Sequence, residues 1–148
     1  MGRVIHTVHV GHAEVCLDWM LGRSIIEVAL MEPVPWRFRF SDYECITTEH
    51  LWRLTSGGRL RRTSSDHRHQ FGLPAPVDAA GEATALLADL TVSSVHLRPD
   101  TGDLQLQFDR GVVLEIITEF TGYEAWQVYG PEGVCYAAHG GSFSTWTQ

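Results

Sequence analysis

Apolar and polar residues alternate with a period of two along much of the chain. Leu104, Leu106 and Phe108 fall on one face of a strand, with Gln105, Gln107 and Asp109 on the other. That is the pattern of a sheet with one buried face. Asp109-Arg110-Gly111 turns the chain toward Leu114-Glu115-Ile116, and Gly130-Pro131-Glu132-Gly133 turns the next hairpin. Gly140-Gly141 precedes a last strand over 142–146. Upstream, Val15, Leu17 and Trp19 alternate in the same way, and a turn at Leu21-Gly22 leads to a strand over 25–30. Glu32-Pro33-Val34-Pro35 ends that strand, because proline cannot donate to a ladder. Trp36-Arg37-Phe38-Arg39-Phe40 sets aromatic against arginine, one face buried and one wet. Further strands are expected over 4–10, 43–48 and 51–54.

The period changes once. Asp78 is placed as an N-cap, Val77 precedes it, and the Ala-rich stretch 79–89 puts Ala83 four before Leu87 and Leu86 four before Leu90. This predicts one helix with an apolar stripe. The strand pattern also repeats. Ile5-x-x-Val8-His9-Val10 matches Val92-x-x-Val95-His96-Leu97, and Val15-x-Leu17-x-Trp19-x-x-Gly22 matches Leu104-x-Leu106-x-Phe108-x-x-Gly111. The expectation is a single α+β domain over 1–148, mostly antiparallel β. It is read as two related β-meanders joined by one helix packed on the sheet. The first repeat covers 4–61, an exposed and mobile Arg-rich loop 62–74, the helix 78–89 and the second repeat 90–148.

Composition narrows the function classes. At 148 residues and 44% hydrophobic, the chain is long and apolar enough to fold without staples. No run approaches the ~18–20 apolar residues of a membrane span, and the first residues lack the apolar stretch of a signal peptide. Cys16, Cys45 and Cys135 are dispersed and odd in number, so no disulfide framework is expected and a cytoplasmic location is. A net charge of −7 argues against nucleic acid bound through phosphates. It suits a solvated surface or a basic protein partner.

Candidate chemistry is sparse. Read as a strand, Tyr123-Glu124-Ala125-Trp126 puts Glu124 and Trp126 on one face as a polar–aromatic contact patch, while the plainer reading packs Trp126 in the core. His9 and His96 occupy matched repeat positions, where two imidazoles would form a metal pair or a pH-sensitive contact, or stand as ordinary strand histidines. His67-x-His69 with Asp66 is a fraction of a metal site among arginines. Cys135 with His139 offers a thiol and a base, but no oxyanion loop follows. Five arginines lie within 53–68, Arg61 and Arg62 among them. They would bind phosphate or an acidic partner, or pair with the chain's own acids. No P-loop, dinucleotide fingerprint or Gly-x-Ser-x-Gly is present. No catalytic residue, metal or cofactor is assigned.

The second half resembles a family of small bacterial proteins of unknown function. The residues that carry this are Leu104-x-Leu106-x-Phe108-x-x-Gly111-x-x-Leu114-x-Ile116, Tyr123-Glu124-x-Trp126, Gly130-Pro131-x-Gly133, Gly140-Gly141 and Trp146. It departs from the family in the Arg-rich middle and at Ala137-Ala138-His139, where relatives tend to have a proline. The resemblance brings no assigned activity. It associates the chain with immunity proteins that neutralise bacterial toxins. The leading expectation is a non-enzymatic protein-binding module of that kind. The alternatives are an enzyme or small-ligand binder with a cleft between the repeats near His9, His96 and Glu124, and a structural homodimer built through an edge strand.

Overall fold

The computed structural model describes residues 7–10 and 13–148, with side chains from residue 15 on. A short hairpin pairs β1 (Thr7–Val10) with β2 (Ala13–Cys16). The chain then makes β3 (Glu27–Leu30), β4 (Trp36–Arg39), β5 (Cys45–Thr48), β6 (Leu51–Ser56) and β7 (Arg59–Thr63). Helix α1 (Ala79–Leu87) follows. Then come β8 (Val92–Leu97), β9 (Leu104–Phe108), β10 (Val112–Ile117), β11 (Trp126–Tyr129), β12 (Val134–His139) and β13 (Ser142–Thr147). Two antiparallel sheets result, one of five strands ordered β7-β6-β10-β9-β8 and one of six ordered β13-β12-β11-β5-β4-β3. The architecture is thus mostly antiparallel β with one helix. Among the described residues no helix is long and apolar enough to cross a membrane.

Each sheet draws strands from both ends of the chain. The central pairs join early to late strands, Ile46 opposite Val128 in one sheet and Leu54 opposite Leu114 in the other. Alternation decides what fills the space between. Trp36, Phe38, Ile46 and Val128 from the six-stranded sheet are buried, as are Trp52, Leu54, Leu106, Leu114 and Ile116 from the five-stranded one. They form one core. Trp52 ties the layers: Trp36 and Phe38 meet it edge-on at 5.0 and 5.6 Å between ring centres, a favoured aromatic geometry.

The sheets' open sides are covered. Asp78 caps α1 as expected, its carboxylate accepting from the Gly81 N–H at 3.0 Å. Ala79, Ala83 and Leu87 form its buried stripe. The helix lies along β3, where the Thr84 hydroxyl accepts from the Val28 N–H at 2.9 Å and sits 2.8 Å from Ala80 O and 3.2 Å from Val28 O. A helix side chain thereby satisfies an edge strand's backbone. Thr84→Val removes that acceptor and leaves a part-buried N–H unpaired. It is expected to cost about 1–3 kcal/mol in a denaturant titration, whereas an exposed neighbour, Ala85→Ser, should change stability little. On the opposite side Gly22 N–H donates to Val92 O and Val92 N–H to Arg23 O, at 2.8 and 2.9 Å.

Two expectations change. The alternation of Val15, Leu17 and Trp19 does not make one strand, since β2 ends at Cys16 and 18–20 forms a 3-10 turn that buries Met20. The Arg-rich segment begins as strand rather than loop: β7 reaches Thr63, and a 3-10 turn over Ser64–Asp66 follows, closed reciprocally by Thr63 and Asp66. Beyond it, Arg68 N–H donates to Val77 O and Val77 N–H to His69 O. β7 escapes the alternation rule because it is an edge strand, where charge is tolerated and blunts self-pairing.

Candidate functional site

The chain changes sheet twice at one end, through 49–50 between β5 and β6 and through 118–125 between β10 and β11. The crossovers lie side by side because polar side chains satisfy each other's backbone. The Thr48 hydroxyl donates to Ala125 O at 2.6 Å and accepts from the His50 N–H at 3.0 Å. His50 is 2% exposed, and its Nδ1 accepts from the Glu119 N–H at 2.8 Å. Asp103 accepts from the Thr118 N–H at 2.8 Å, and the Trp126 indole donates to Gly102 O at 2.7 Å. Burial holds the His50 imidazole below its ordinary pKa, against the pull of the Glu119 and Glu49 carboxylates.

Pinned at its ends, the second crossover presents an aromatic pair to solvent. Phe120 is 52% and Tyr123 69% exposed, and the two rings meet edge-on at 5.9 Å. Phe120 also meets the His50 ring edge-on at 5.4 Å. Glu49, Glu119 and Glu124 are exposed around them. Among the described residues none of these three carboxylates has an ion pair, although Glu27, Glu32, Glu44, Glu82 and Glu115 all do. Tyr123 and Glu124 separate two open clefts. One of about 530 Å³ runs toward His139 and Phe143, and one of about 220 Å³ runs toward Glu49, Pro35 and Gln127. Exposed aromatic faces beside carboxylates without ion pairs, of which Glu124 accepts only from the Gln127 amide at 3.4 Å, form a surface suited to cationic side chains.

The residues singled out from sequence are spread over the molecule. Glu124 belongs to this surface. Trp126, 1% exposed, is a core residue that supports it from beneath. The strand begins at Trp126, so 123–125 do not alternate. Tyr123 lies outside the core and Ala125 inside, whereas a strand would put the two on one face. His96 is half-buried on the five-stranded sheet, in register with Gln105, Glu115 and Arg53, and lines a separate depression of about 400 Å³. The side chain of His9 lies outside the described residues. Arg61 is exposed, while Arg62 pairs with Glu82 at 3.0 Å and Asp66 at 3.8 Å.

The remaining candidates separate further. His67 accepts from the Ala79 N–H at 3.0 Å, and His69 stacks on Phe71. Burial pushes the Cys135 thiol up, away from a reactive thiolate, and His139 stands four residues on, roughly 13 Å along the strand. Among the described residues no three His, Cys, Asp or Glu side chains gather as a metal site would need. Sequence reasoning missed His50, Phe120 and Glu49, and counted Glu119 only as one of four glutamates, with Glu115, Glu124 and Glu132, that could supply a carboxylate pair. The available signal was Glu119-Phe120 and Tyr123-Glu124 flanking Gly122, a symmetric acid–aromatic pattern in a turn.

Comparison with known proteins adds a family and no activity. No curated protein and no solved structure matches the chain. A family model described as a family of unknown function, DUF6188, matches residues 16–147. That match spans both sheets and the crossover surface, and the chain belongs to the DUF6188 family.

Proposed function

We propose that this chain is a non-enzymatic protein-binding module, of the immunity type that neutralises a bacterial toxin by covering its surface. The crossover end, Phe120, Tyr123 and Glu124 with Glu49 and Glu119, is its contact surface. One observation carries the reading: an exposed aromatic pair is ringed by carboxylates without ion pairs among the described residues, where Glu27, Glu32, Glu44, Glu82 and Glu115 are paired and Glu132 is not, on a chain of net charge −7. Such a surface fits a partner that presents arginine or lysine, with aromatic anchors contributing affinity and carboxylates steering approach. The crossover that carries it is anchored to the ends of β5, β10 and β11 by Thr48, His50, Asp103 and Trp126, which suits a preorganised interface.

The duplicated-meander reading belongs to the same proposal. It is supported by matched Gly22 and Gly111, both left-handed at φ +76° and +73°, and by the matched burial of Val15 with Leu104, Leu17 with Leu106, and Ile25 with Leu114. The small-ligand alternative draws less support, because His96 and Glu124 line different depressions.

The test is quantitative capture from the native host, comparing the wild-type chain with Tyr123→Ala and Glu124→Arg. A specific basic partner should be retained by the wild type. Each substitution should weaken it about 30-fold in Kd, as expected where an anchor contributes 2 kcal/mol or more. A partner that binds both variants as tightly as the wild type would place the interface elsewhere.

A further inference from the structure

We infer that His50 is a proton-operated latch on this contact surface: neutral, it holds the 118–125 crossover in place, and charged, it releases it, so acidification turns binding off. The inference rests on the proposed binding role for its consequence, and on geometry alone for its mechanism.

Nδ1 of His50 accepts from the Glu119 N–H, so it carries no proton, and the neutral ring's hydrogen is on Nε2. That Nε2 is buried with no hydrogen-bond partner among the described residues. The neutral ring therefore leaves one donor unsatisfied. A second proton would enter at Nδ1, pointing at the Glu119 amide hydrogen. The one bond between ring and crossover becomes a donor-to-donor contact, and a charge is placed at a site 2% exposed. The charged groups facing the ring are Glu119 from the crossover and Glu49 from its own turn. Both favour the cation, but burial of the ring outweighs them. Rotation of the ring toward them frees the Glu119 amide, and Phe120, in edge contact with the ring, moves with it.

The sign follows from linkage. The closed state binds the proton more weakly than an open one, because burial lowers the pKa of His50. The latch is fully engaged above about pH 6.5, the value of a free imidazole, and weakens as pH falls below it. Carboxylates titrate near 4.3, so a change between pH 7 and 5 reports on imidazole. His67 also accepts a backbone N–H, that of Ala79 at the helix start, so a global stability curve would not single out the His50 bond. The measurement must be local.

The experiment is nitrogen-15 NMR of the full chain between pH 7.5 and 5. The expected result is His50 unprotonated at Nδ1 at pH 7.5, then at least a tenfold acceleration of Glu119 amide exchange, beyond the intrinsic pH effect, by pH 5. Phe120 and Tyr123 amide shifts should move with the same midpoint. His50→Gln supplies a carbonyl that accepts without titrating and should abolish the transition, while His67→Gln should keep it. If His50→Gln does not fold, the wild-type midpoint decides: it must coincide with the His50 ring's own titration. Glu119 protection unchanged to pH 5, a midpoint matching another histidine, or a transition persisting in His50→Gln overturns the latch. A latch that opens on schedule while partner capture is unaffected by acid overturns the surface assignment instead.

Discussion

Trp126→Ala is expected to remove about 3–5 kcal/mol of stability, the range for truncating a fully buried tryptophan. That is a large share of the 5–15 kcal/mol that holds a domain of this size. The indole is 1% exposed, lies 6.1 Å from the Phe143 ring, and donates to Gly102 O at 2.7 Å. Since Trp126 sits in β11 of the six-stranded sheet and Gly102 in the turn before β9, that bond crosses from sheet to sheet. A finer comparison isolates it. Trp52 is equally buried, yet its indole N–H has no partner among the described residues. Trp126→Phe orphans the Gly102 carbonyl, adding about 1–3 kcal/mol to the lost volume, whereas Trp52→Phe deletes a donor that was already unsatisfied. Denaturant titration should therefore find Trp126→Phe the costlier of the two. The reverse order would show that packing, and not the cross-sheet bond, sets the value.

Gly141→Ala should destabilise by at least about 2 kcal/mol, while Gly140→Asn is nearly neutral. Both glycines form the β12–β13 turn with left-handed backbone, φ +54° at Gly140 and +87° at Gly141, as a tight hairpin requires. The left-handed conformation alone costs an ordinary residue roughly 1–2 kcal/mol, and asparagine tolerates it best. Surroundings separate the two positions. A Cβ on Gly141 would stand 2.7 Å from Asp100 O, a backbone atom that has to move, whereas one on Gly140 meets only Thr121 O at 3.5 Å. Asp100 lies in the turn that carries Gly102, the acceptor of Trp126. Gly141→Ala and Trp126→Phe should consequently fail to add in a double-mutant cycle, and additive values would show that the two ties act independently.

What could be read in advance was what local rules decide. Asp78 and the Ala/Leu spacing placed α1 within two residues of its end, and Asp109-Arg110-Gly111 and Gly140-Gly141 marked hairpins that form. The misreadings share a cause. Val15, Leu17 and Met20 are all buried, but a 3-10 turn spaces them as a strand would for only part of the way. Arg59, Arg61 and Arg62 obscured β7, because an edge strand needs little apolar face. Alternation puts Glu124 and Trp126 on one face, whereas 123–125 belong to a crossover with no pleat, and Glu124 is exposed while Trp126 is buried. His50 was invisible for a different reason. Its burial is supplied by Glu119 and Phe120, far along the chain, and no pattern in its own neighbourhood announces that.

The pairing of early with late strands also governs how the chain comes together during synthesis. β5 and β6 are made long before β11 and β10, their neighbours at the centres of the two sheets. As the N-terminal part leaves the ribosome, Trp36 and Phe38 can already meet Trp52 across the layers, but β5 and β6 are left as open edges where β11 and β10 will pair. Both sheets reach completion only with the last third of the chain, whose arrival closes them together. Such long-range closure is the slow kind, and it leaves apolar strand edges waiting in the growing chain.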